Sequence, residues 1–239
     1  MRPWGTLAGR AADAEEEMDK ADCDARRLDR TYMRFPVVNR LLSGWHAVYR
    51  ERIKPVLSRT GEATLLDIGC GSGDVARSLA QWAQRDGFRL AITAVDPDER
   101  AFRFAAGSTA VEGVAYRQAH SSQLVSEGLT YDVVISNHIL HHLDSGQLAE
   151  VLRDSERLSR GVVLHNDLRR SNVSYGLFWL GFWPLGVGSY IWRDGLTSIR
   201  RSFTPQELTA VVPARWTVER NGPWHSLLTH YATEEADRA

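Results

Sequence analysis

A glycine-rich corner between a short apolar strand and a helix constrains the fold of this chain most. Residues 65–73 read Leu-Leu-Asp-Ile-Gly-Cys-Gly-Ser-Gly, with a glycine at every second position, namely Gly69, Gly71 and Gly73. Glycine lets the backbone turn tightly and lets a ligand approach closely. The helix expected over 74–85 starts with unpaired N–H groups. The pattern predicts a nucleotide-type cofactor site at the edge of a parallel sheet; the alternative is a tight corner without a ligand.

The spacing of the glycines excludes two common cofactor classes. A dinucleotide site needs G-x-G-x-x-G, and its third glycine would fall at Asp74. A phosphate-binding loop needs a closing Gly-Lys-Ser/Thr, which is absent here. What remains is Asp67 two positions before Gly69.

A second acidic residue follows the next predicted strand. Residues 90–95 are apolar and end at Asp96-Pro97. An acid at this strand end, roughly 20 residues past the glycines, typically binds ribose hydroxyls. The alternative is an N-cap aspartate for a helix over 98–106, with Pro97 in its first turn. Both roles are compatible.

A third segment completes an ordered set of motifs. Residues 131–143 read Tyr-Asp-Val-Val-Ile-Ser-Asn-His-Ile-Leu-His-His-Leu, a buried strand followed by Asn137 and His138. The Asp67–Gly73 corner, Asp96 and this segment together resemble the motifs of class I S-adenosylmethionine-dependent methyltransferases, over residues 60–168. The Leu-His-His part is also similar to ubiquinone/menaquinone-type methyltransferases.

The resemblance implies the cofactor, S-adenosylmethionine, and residues that bind it. Asp67, Gly69 and Gly71 would contact its methionine end, Asp96 its ribose, and residues 118–120 its adenine, while Asn137 would present its carbonyl to the amino group. The full set of expected cofactor-binding residues is Asp67, Gly69, Cys70, Gly71, Gly73, Asp96, Pro97, Ala119, His120, Ser121, Asn137 and His138. Many relatives carry an aspartate near position 120, which this chain lacks.

Strands and helices alternate through the middle of the chain. Strands are predicted at 63–68, 89–95, 114–118, 131–137 and 160–166, with helices at 74–85, 98–106, 121–127 and 145–158. Such alternation predicts an α/β fold with a parallel sheet covered on both faces. A helix over 205–212, capped by Thr204 and Glu207, and a hairpin of strands 216–220 and 225–233 around Asn221-Gly222 close the chain. The expected fold is a Rossmann-like, doubly wound, seven-stranded sheet whose last strand is antiparallel.

Two additions to that core are expected. Residues 1–58 would form an N-terminal helical lid of two or three helices, broken at Phe35-Pro36, or else simply cover the sheet. Residues 59–239 would form the core, with 171–196 as an acceptor-side insertion. The uncharged stretch 171–192 contains seven aromatic residues, four glycines and a proline. We expect a helix and an aromatic loop there. The alternative roles for this stretch are a homodimer contact, ordinary core packing or a shallow contact with a membrane surface.

Composition sets the class of protein. The 239 residues are 43% hydrophobic and 25% charged, as in ordinary globular domains. A net charge of −1 gives no support for a nucleic-acid partner. The two cysteines form no disulfide framework, and no signal peptide or stable membrane insertion is expected, which favours a cytoplasmic enzyme. Residues 234–239 are polar and predicted to be disordered. No metal site is predicted.

Histidines at the predicted strand ends are the candidates for a base that deprotonates the acceptor. Methyl transfer needs alignment of acceptor and donor, and a base helps when the acceptor is a hydroxyl. Histidine suits neutral pH. His165 is the preferred base and His141 the second choice, with Asp167 orienting an imidazole or binding an acceptor hydroxyl. His142 is expected to be structural, because neighbours on a helical turn point about 100° apart.

The predicted acceptor is a small, hydrophobic, aromatic or polyketide-like molecule of secondary metabolism. Expected substrate-binding residues are Tyr32, Trp45, Tyr49, His141, Trp179 and Trp183. Oxygen methylation is the first choice, and carbon methylation of a quinone precursor is the alternative. A nicotinamide dehydrogenase and a non-catalytic cofactor-binding protein are the hypotheses from other classes.

Overall fold

A computed structural model describes residues 7–232, so the expectation for 234–239 lies outside the described residues. The N-terminal part contains a 3₁₀ turn (Glu17–Asp19) and helices α1 (Ala25–Leu42), α2 (Trp45–Val48) and α3 (Lys54–Thr60), with a π-helical turn (Tyr49–Ile53) before α3. The strands are β1 (Glu62–Ile68), β2 (Arg89–Asp96), β3 (Val114–Gln118), β4 (Tyr131–Asn137), β5 (Ser159–Leu168), β6 (Thr217–Asn221) and β7 (His225–Tyr231). The remaining helices are α4 (Asp74–Arg85), α5 (Glu99–Ala106), α6 (Ser121–Ser126), α7 (Ser145–Leu158), α8 (Asn172–Gly181), α9 (Trp183–Gly186), α10 (Ile191–Arg201) and α11 (Pro205–Val211), with a 3₁₀ turn (Leu140–His142) before α7.

The strands form one seven-stranded sheet in the order β3-β2-β1-β4-β5-β7-β6. All neighbours pair in parallel except β7, which is antiparallel to both β5 and β6. This confirms the predicted fold, including the closing hairpin. The chain order reverses between β1 and β4, and ligands bind outside the carboxyl ends of the strands at such a switch point. The glycine corner follows β1 there.

Helix α1 runs straight through Pro36, so the predicted break at Phe35-Pro36 is wrong. The proline removes one backbone donor, but buried Leu28 and Tyr32 hold the first half of the helix in place. The chain turns instead at Gly44, which has a φ of 70°. A Cβ there would lie 2.7 Å from the side chain of Asn221.

Local signals placed most later boundaries correctly. Thr204 and Glu207 form the predicted capping box at the start of α11, with Glu207 N donating to Thr204 Oγ1 at 3.2 Å. The cap of α5 differs from the prediction: Asp98 is its N-cap, accepting from Arg100 N at 2.8 Å. Pro97 therefore precedes the helix, and Asp96 does not cap it.

The insertion after β5 is helical, with α8 and α9 followed by α10. It packs on α1 through an apolar cluster that includes Phe35, Val38, Phe178 and Ile191. Its outer face exposes apolar side chains, namely Val173, Leu177, Trp179, Leu180, Trp183 and Val187. Among the described residues no helix has the length and hydropathy to cross a bilayer.

Candidate active site

The glycine corner has the backbone geometry that the sequence predicts. Gly69, Gly71 and Gly73 have φ values of 68°, 54° and 72°, in the left-handed region that favours glycine. A Cβ on Gly69 would lie 2.7 Å from Ile139, whereas a Cβ on Gly71 would meet no atom within 4 Å. Gly69 and Gly71 line a large cavity, but Gly73 does not. Gly73 packs on Tyr116 instead, so its expected ligand contact is not supported.

Asp67 is the least satisfied group at this corner. It is buried and lines the cavity, and neither of its oxygens has a hydrogen-bond partner within residues 7–232. Burial, and then the neighbouring Asp74 and Asp96 carboxylates, raise the pKa of Asp67 well above its usual value. A buried carboxylate without a partner is costly unless a cation or donor binds it. The corner therefore fits a positively charged group.

Asp96 is the last residue of β2, which pairs with β1, and its carboxylate is hydrogen-bonded to the glycine corner. Its Oδ2 accepts from Gly71 N at 2.9 Å and its Oδ1 from Asp98 N at 3.0 Å. Each carboxylate oxygen can accept a further hydrogen bond. Asp96 lines the cavity, so hydroxyl groups of a ligand can reach it.

The other expected cofactor residues surround the same space. Cys70, Pro97, Ala119, His120, Ser121, Asn137 and His138 all line the cavity. Asp154 of α7 also lines it, and Ser121 Oγ donates to Asp154 Oδ2 at 2.7 Å. An aspartate from another helix thus lies beside position 121, which no local sequence signal indicated.

His138 adopts a conformation that is unusual for a residue with a side chain. Its φ is 60°, and its Nε2 lies 2.7 Å from His225 Nε2 in a stacked pair. Burial, the largest effect, lowers the pKa of His138 to about 4. Non-glycine residues in the left-handed region cluster at functional sites. The preceding Asn137 accepts a hydrogen bond from Trp45 Nε1 at 2.8 Å, which connects α2 to the site.

The cavity has a volume of about 890 Å³ and extends from the glycine corner to an apolar half. The apolar half is lined by Tyr32, Phe35, Val38, Leu42, Leu168, Phe178, Ile191 and Ile199. Of these, sequence reasoning named only Tyr32, because the others come from three separate helices and the end of β5.

Four expected substrate residues lie outside the cavity lining. Trp45 is buried beneath Asn137, and Tyr49 packs on Trp82 in the core. Trp179 and Trp183 are 41% and 61% exposed on the outer face of the insertion. Aromatic residues were predicted to face the acceptor, but α8 turns its Phe178 inward and Trp179 outward. The structure therefore contradicts these four assignments.

His165, the preferred base, is placed in the core rather than in the cavity. Its ring stacks on Trp216, and its Nδ1 lies 2.7 Å from Ser136 Oγ. Burial lowers its pKa to about 3. The strand β5 continues to Leu168, two residues beyond the predicted end, so His165 lies inside the sheet. The structure contradicts its assignment as the base.

Replacing His165 with glutamine should reduce acid destabilisation of the protein. The folded pKa lies below the unfolded value of about 6.5, so stability is lost as pH falls and the unfolded chain takes up the proton. We expect the wild type to lose about 2 kcal/mol more than the variant between pH 7 and pH 5. Urea unfolding at both pH values measures this, and equal losses would contradict it.

His141, the second choice, does line the cavity and is held by Asp167. Its Nδ1 lies 2.6 Å from Asp167 Oδ1, and Asp167 Oδ2 accepts from His141 N at 2.8 Å. Burial lowers the pKa of His141, but the carboxylates of Asp167 and Glu16 outweigh it and raise the pKa to about 9. Asp167 itself does not line the cavity, but it holds the imidazole of His141.

His142 also faces the cavity, contrary to the expectation that only one of the two histidines would do so. The imidazole rings lie 4.2 Å apart, and the N-terminal Glu16 lies beside both. His141 and His142 lie on one 3₁₀ turn, and both line the cavity although their side chains point in different directions. Glu16 was not predicted as a site residue, because nothing in its local acidic sequence shows where residues 7–24 run.

Comparisons with known proteins agree with this geometry. A family model described as a methyltransferase domain matches residues 65–160. The chain is similar in structure to the plantazolicin methyltransferase BpumL in complex with SAH, with 12% identity, 87% of this chain and 95% of that chain covered, and a TM-score of 0.59. It is also similar to the DhpI-SAM-HEP complex, with 17% identity, 86% and 92% coverage and a TM-score of 0.52. No curated protein sequence matches significantly.

The fold is a Rossmann-like seven-stranded sheet, and its site is an acidic corner lined by glycines. The methyltransferase-domain match over 65–160 falls on the part of the chain that forms this corner. This confirms the resemblance drawn from the sequence.

Proposed function

We propose that the protein transfers a methyl group from S-adenosylmethionine to an oxygen of a small, hydrophobic, aromatic molecule. The observation that carries the proposal is one cavity that joins an acidic corner to an apolar half. Its volume of about 890 Å³ lies in the range of sites for small molecules. An apolar wall with few polar groups favours an acceptor of the same character.

The cofactor supplies an activated methyl group on a positively charged sulfur. Asp67 would stabilise positive charge at the methionine end, where its oxygens have no partner within the described residues. Asp96 would accept from the ribose hydroxyls while holding Gly71 in place. Asn137 would present its backbone carbonyl to the amino group.

The base in this proposal is His141. Its Nδ1 is held by Asp167, which leaves Nε2, 3.5 Å from Glu16 Oε1, as the nitrogen that would take the proton. A phenol has a pKa of about 10, so an imidazole with a pKa of about 9 is a well-matched proton acceptor. Only the neutral imidazole can take the proton, so the rate should rise with pH up to about 9.

The N-terminal segment would act as a lid in this scheme. Glu16, Met18 and Asp19 line the cavity, and Asp194 of α10 accepts from Glu17 N and Met18 N at 3.0 and 2.9 Å. The neighbours give limited support for a small acceptor: BpumL is described in complex with a triazolic desmethylPZN analog and SAH.

Ligand-induced stabilisation tests the cofactor, and product analysis tests the acceptor. S-adenosylhomocysteine at 100 times its Kd should stabilise the protein by about 2.7 kcal/mol, and NAD should not. Methyl-labelled S-adenosylmethionine incubated with simple phenols and quinone precursors should yield ethers. Label on ring carbon would instead favour carbon methylation, and binding without any transfer would favour a non-catalytic protein.

A further inference from the structure

Two histidines and a glutamate converge on one point of the cavity wall. Glu16, His141 and His142 each offer one ligand atom, and these atoms lie within 4.8 Å of one another. We propose that these three residues form a binding site for a divalent transition metal ion.

The distances fit a metal better than a direct ion pair. His141 Nε2 and His142 Nε2 lie 3.5 and 3.7 Å from Glu16 Oε1. Charged hydrogen bonds are shorter, at about 2.7–2.9 Å. Ligand atoms around a tetrahedral metal, each about 2.0–2.1 Å from it, are about 3.3 Å apart. Within residues 7–232, His141 Nε2 is buried and has no hydrogen-bond partner, so its lone pair is free to bind a metal ion.

The partners of the two imidazoles support the same reading. His141 Nδ1 lies 2.6 Å from Asp167 Oδ1, and His142 Nδ1 lies 3.1 Å from Asp19 Oδ2. Histidines that bind metals usually donate their other N–H to a carboxylate, which fixes the tautomer and raises the basicity of the ligand nitrogen. Here both rings have such a carboxylate, and both present Nε2 to the same oxygen.

Other groups also face Glu16. Ser198 Oγ donates to Glu16 Oε1 at 2.8 Å, and Arg201 Nη1 lies 4.0 Å from that oxygen and 3.7 Å from Asp19 Oδ2. Arg201 is too far away for a direct hydrogen bond to either carboxylate. Arg10 also lies close, with Nη2 donating to His141 O at 2.9 Å, so three carboxylates, Glu16, Asp19 and Asp167, face two guanidinium groups around the imidazoles.

The donor set selects the metal class. Two imidazoles and one carboxylate with open positions suit zinc or a similar first-row ion rather than magnesium or calcium. All three residues line the cavity. If the proposed function holds, the acceptor oxygen would bind there as an anion, and the metal would assist in its deprotonation in place of His141. Metal binding itself does not depend on that function.

Cobalt titration of the chelator-treated full-length protein tests the site without cofactor or acceptor. We expect one Co²⁺ per chain, with visible absorption bands that zinc abolishes. His142→Asn should weaken binding by at least about 100-fold, and Asp19→Asn, which alters only the partner of a ligand, by about 10- to 100-fold. Asp19 and His142 are partly exposed, so these variants should fold.

The matched control is His46→Asn, an exposed histidine far from the cluster in the chain that does not line the cavity. It should bind cobalt like the wild type. The proposal is overturned if the wild type shows no cobalt bands, or if His142→Asn and His46→Asn bind equally. Neither result bears on S-adenosylhomocysteine binding, so failure here is distinguishable from failure of the proposed function.

Discussion

Replacing Asp67 with asparagine should weaken cofactor binding and yet stabilise the ligand-free protein. The loss of a charge-assisted hydrogen bond costs about 1.5–3 kcal/mol, so affinity for S-adenosylmethionine should fall by at least about 10- to 100-fold. Asparagine removes a buried carboxylate whose oxygens have no partner within the described residues. We expect the free energy of unfolding of the ligand-free form to rise by about 1–3 kcal/mol.

The pH dependence of stability adds a second signature. The folded pKa of Asp67 is raised, first by burial. The unfolded carboxyl therefore ionises first, and the wild type loses stability as pH rises above the unfolded value of about 3.9. The asparagine variant should not show this part of the loss. Calorimetry measures the loss of cofactor affinity, and urea unfolding at several pH values measures the change in stability.

Asp132→Asn is the control for Asp67→Asn. Asp132 lies near the start of β4 and does not line the cavity, and its Oδ2 accepts from Thr64 N at 2.7 Å. This variant should lose stability and keep its cofactor affinity. An Asp67→Asn protein that binds S-adenosylhomocysteine as tightly as the wild type would remove the basis for the cofactor corner.

Replacing Val38 with tryptophan should block the acceptor without affecting the cofactor. Val38 lines the apolar half of the cavity from α1. A larger ring there would displace the acceptor from the methyl group, and a misplacement of about 1 Å can cost about 100-fold in rate. We expect kcat/KM for the acceptor to fall by about that factor, with the Kd of S-adenosylhomocysteine unchanged.

Val37→Trp gives a matched comparison on the same helix. Val37 is the neighbouring residue, but its side chain is exposed on the outer face of α1. The same ring added there should leave acceptor kinetics unchanged. If both variants, or neither, lose activity, the apolar half of the cavity is not the acceptor site.

The cofactor half of the site could be predicted because its residues follow consecutive strands. Asp67, Gly69, Asp96 and Asn137 each lie at or just past the carboxyl end of a strand, and parallel strands bring these ends to one edge. Residues that follow these strands in the sequence are therefore expected to lie close together in space. Gly73 shares the glycine pattern, but it packs on Tyr116 and does not line the cavity.

The choice of histidine failed for a different reason. His165 and Asp167 lie on the same strand, and the sequence did not show where that strand ends. Because β5 extends to Leu168, Asp167 reaches the end of the sheet and orients His141, while His165 is covered by Trp216. The predicted strand ended at residue 166, one position after His165. Because β5 ends at Leu168 instead, His165 lies in the core and not at the edge of the sheet.

The sequence by itself determined the sheet, the glycine corner and the acid that follows β2, because strand alternation and backbone freedom are local properties. Only the tertiary structure decided the apolar half of the cavity. Glu16, Val38, Phe178 and Ile199 come from distant segments, and they meet in the cavity through packing of α1, α8 and α10 that no short pattern encodes.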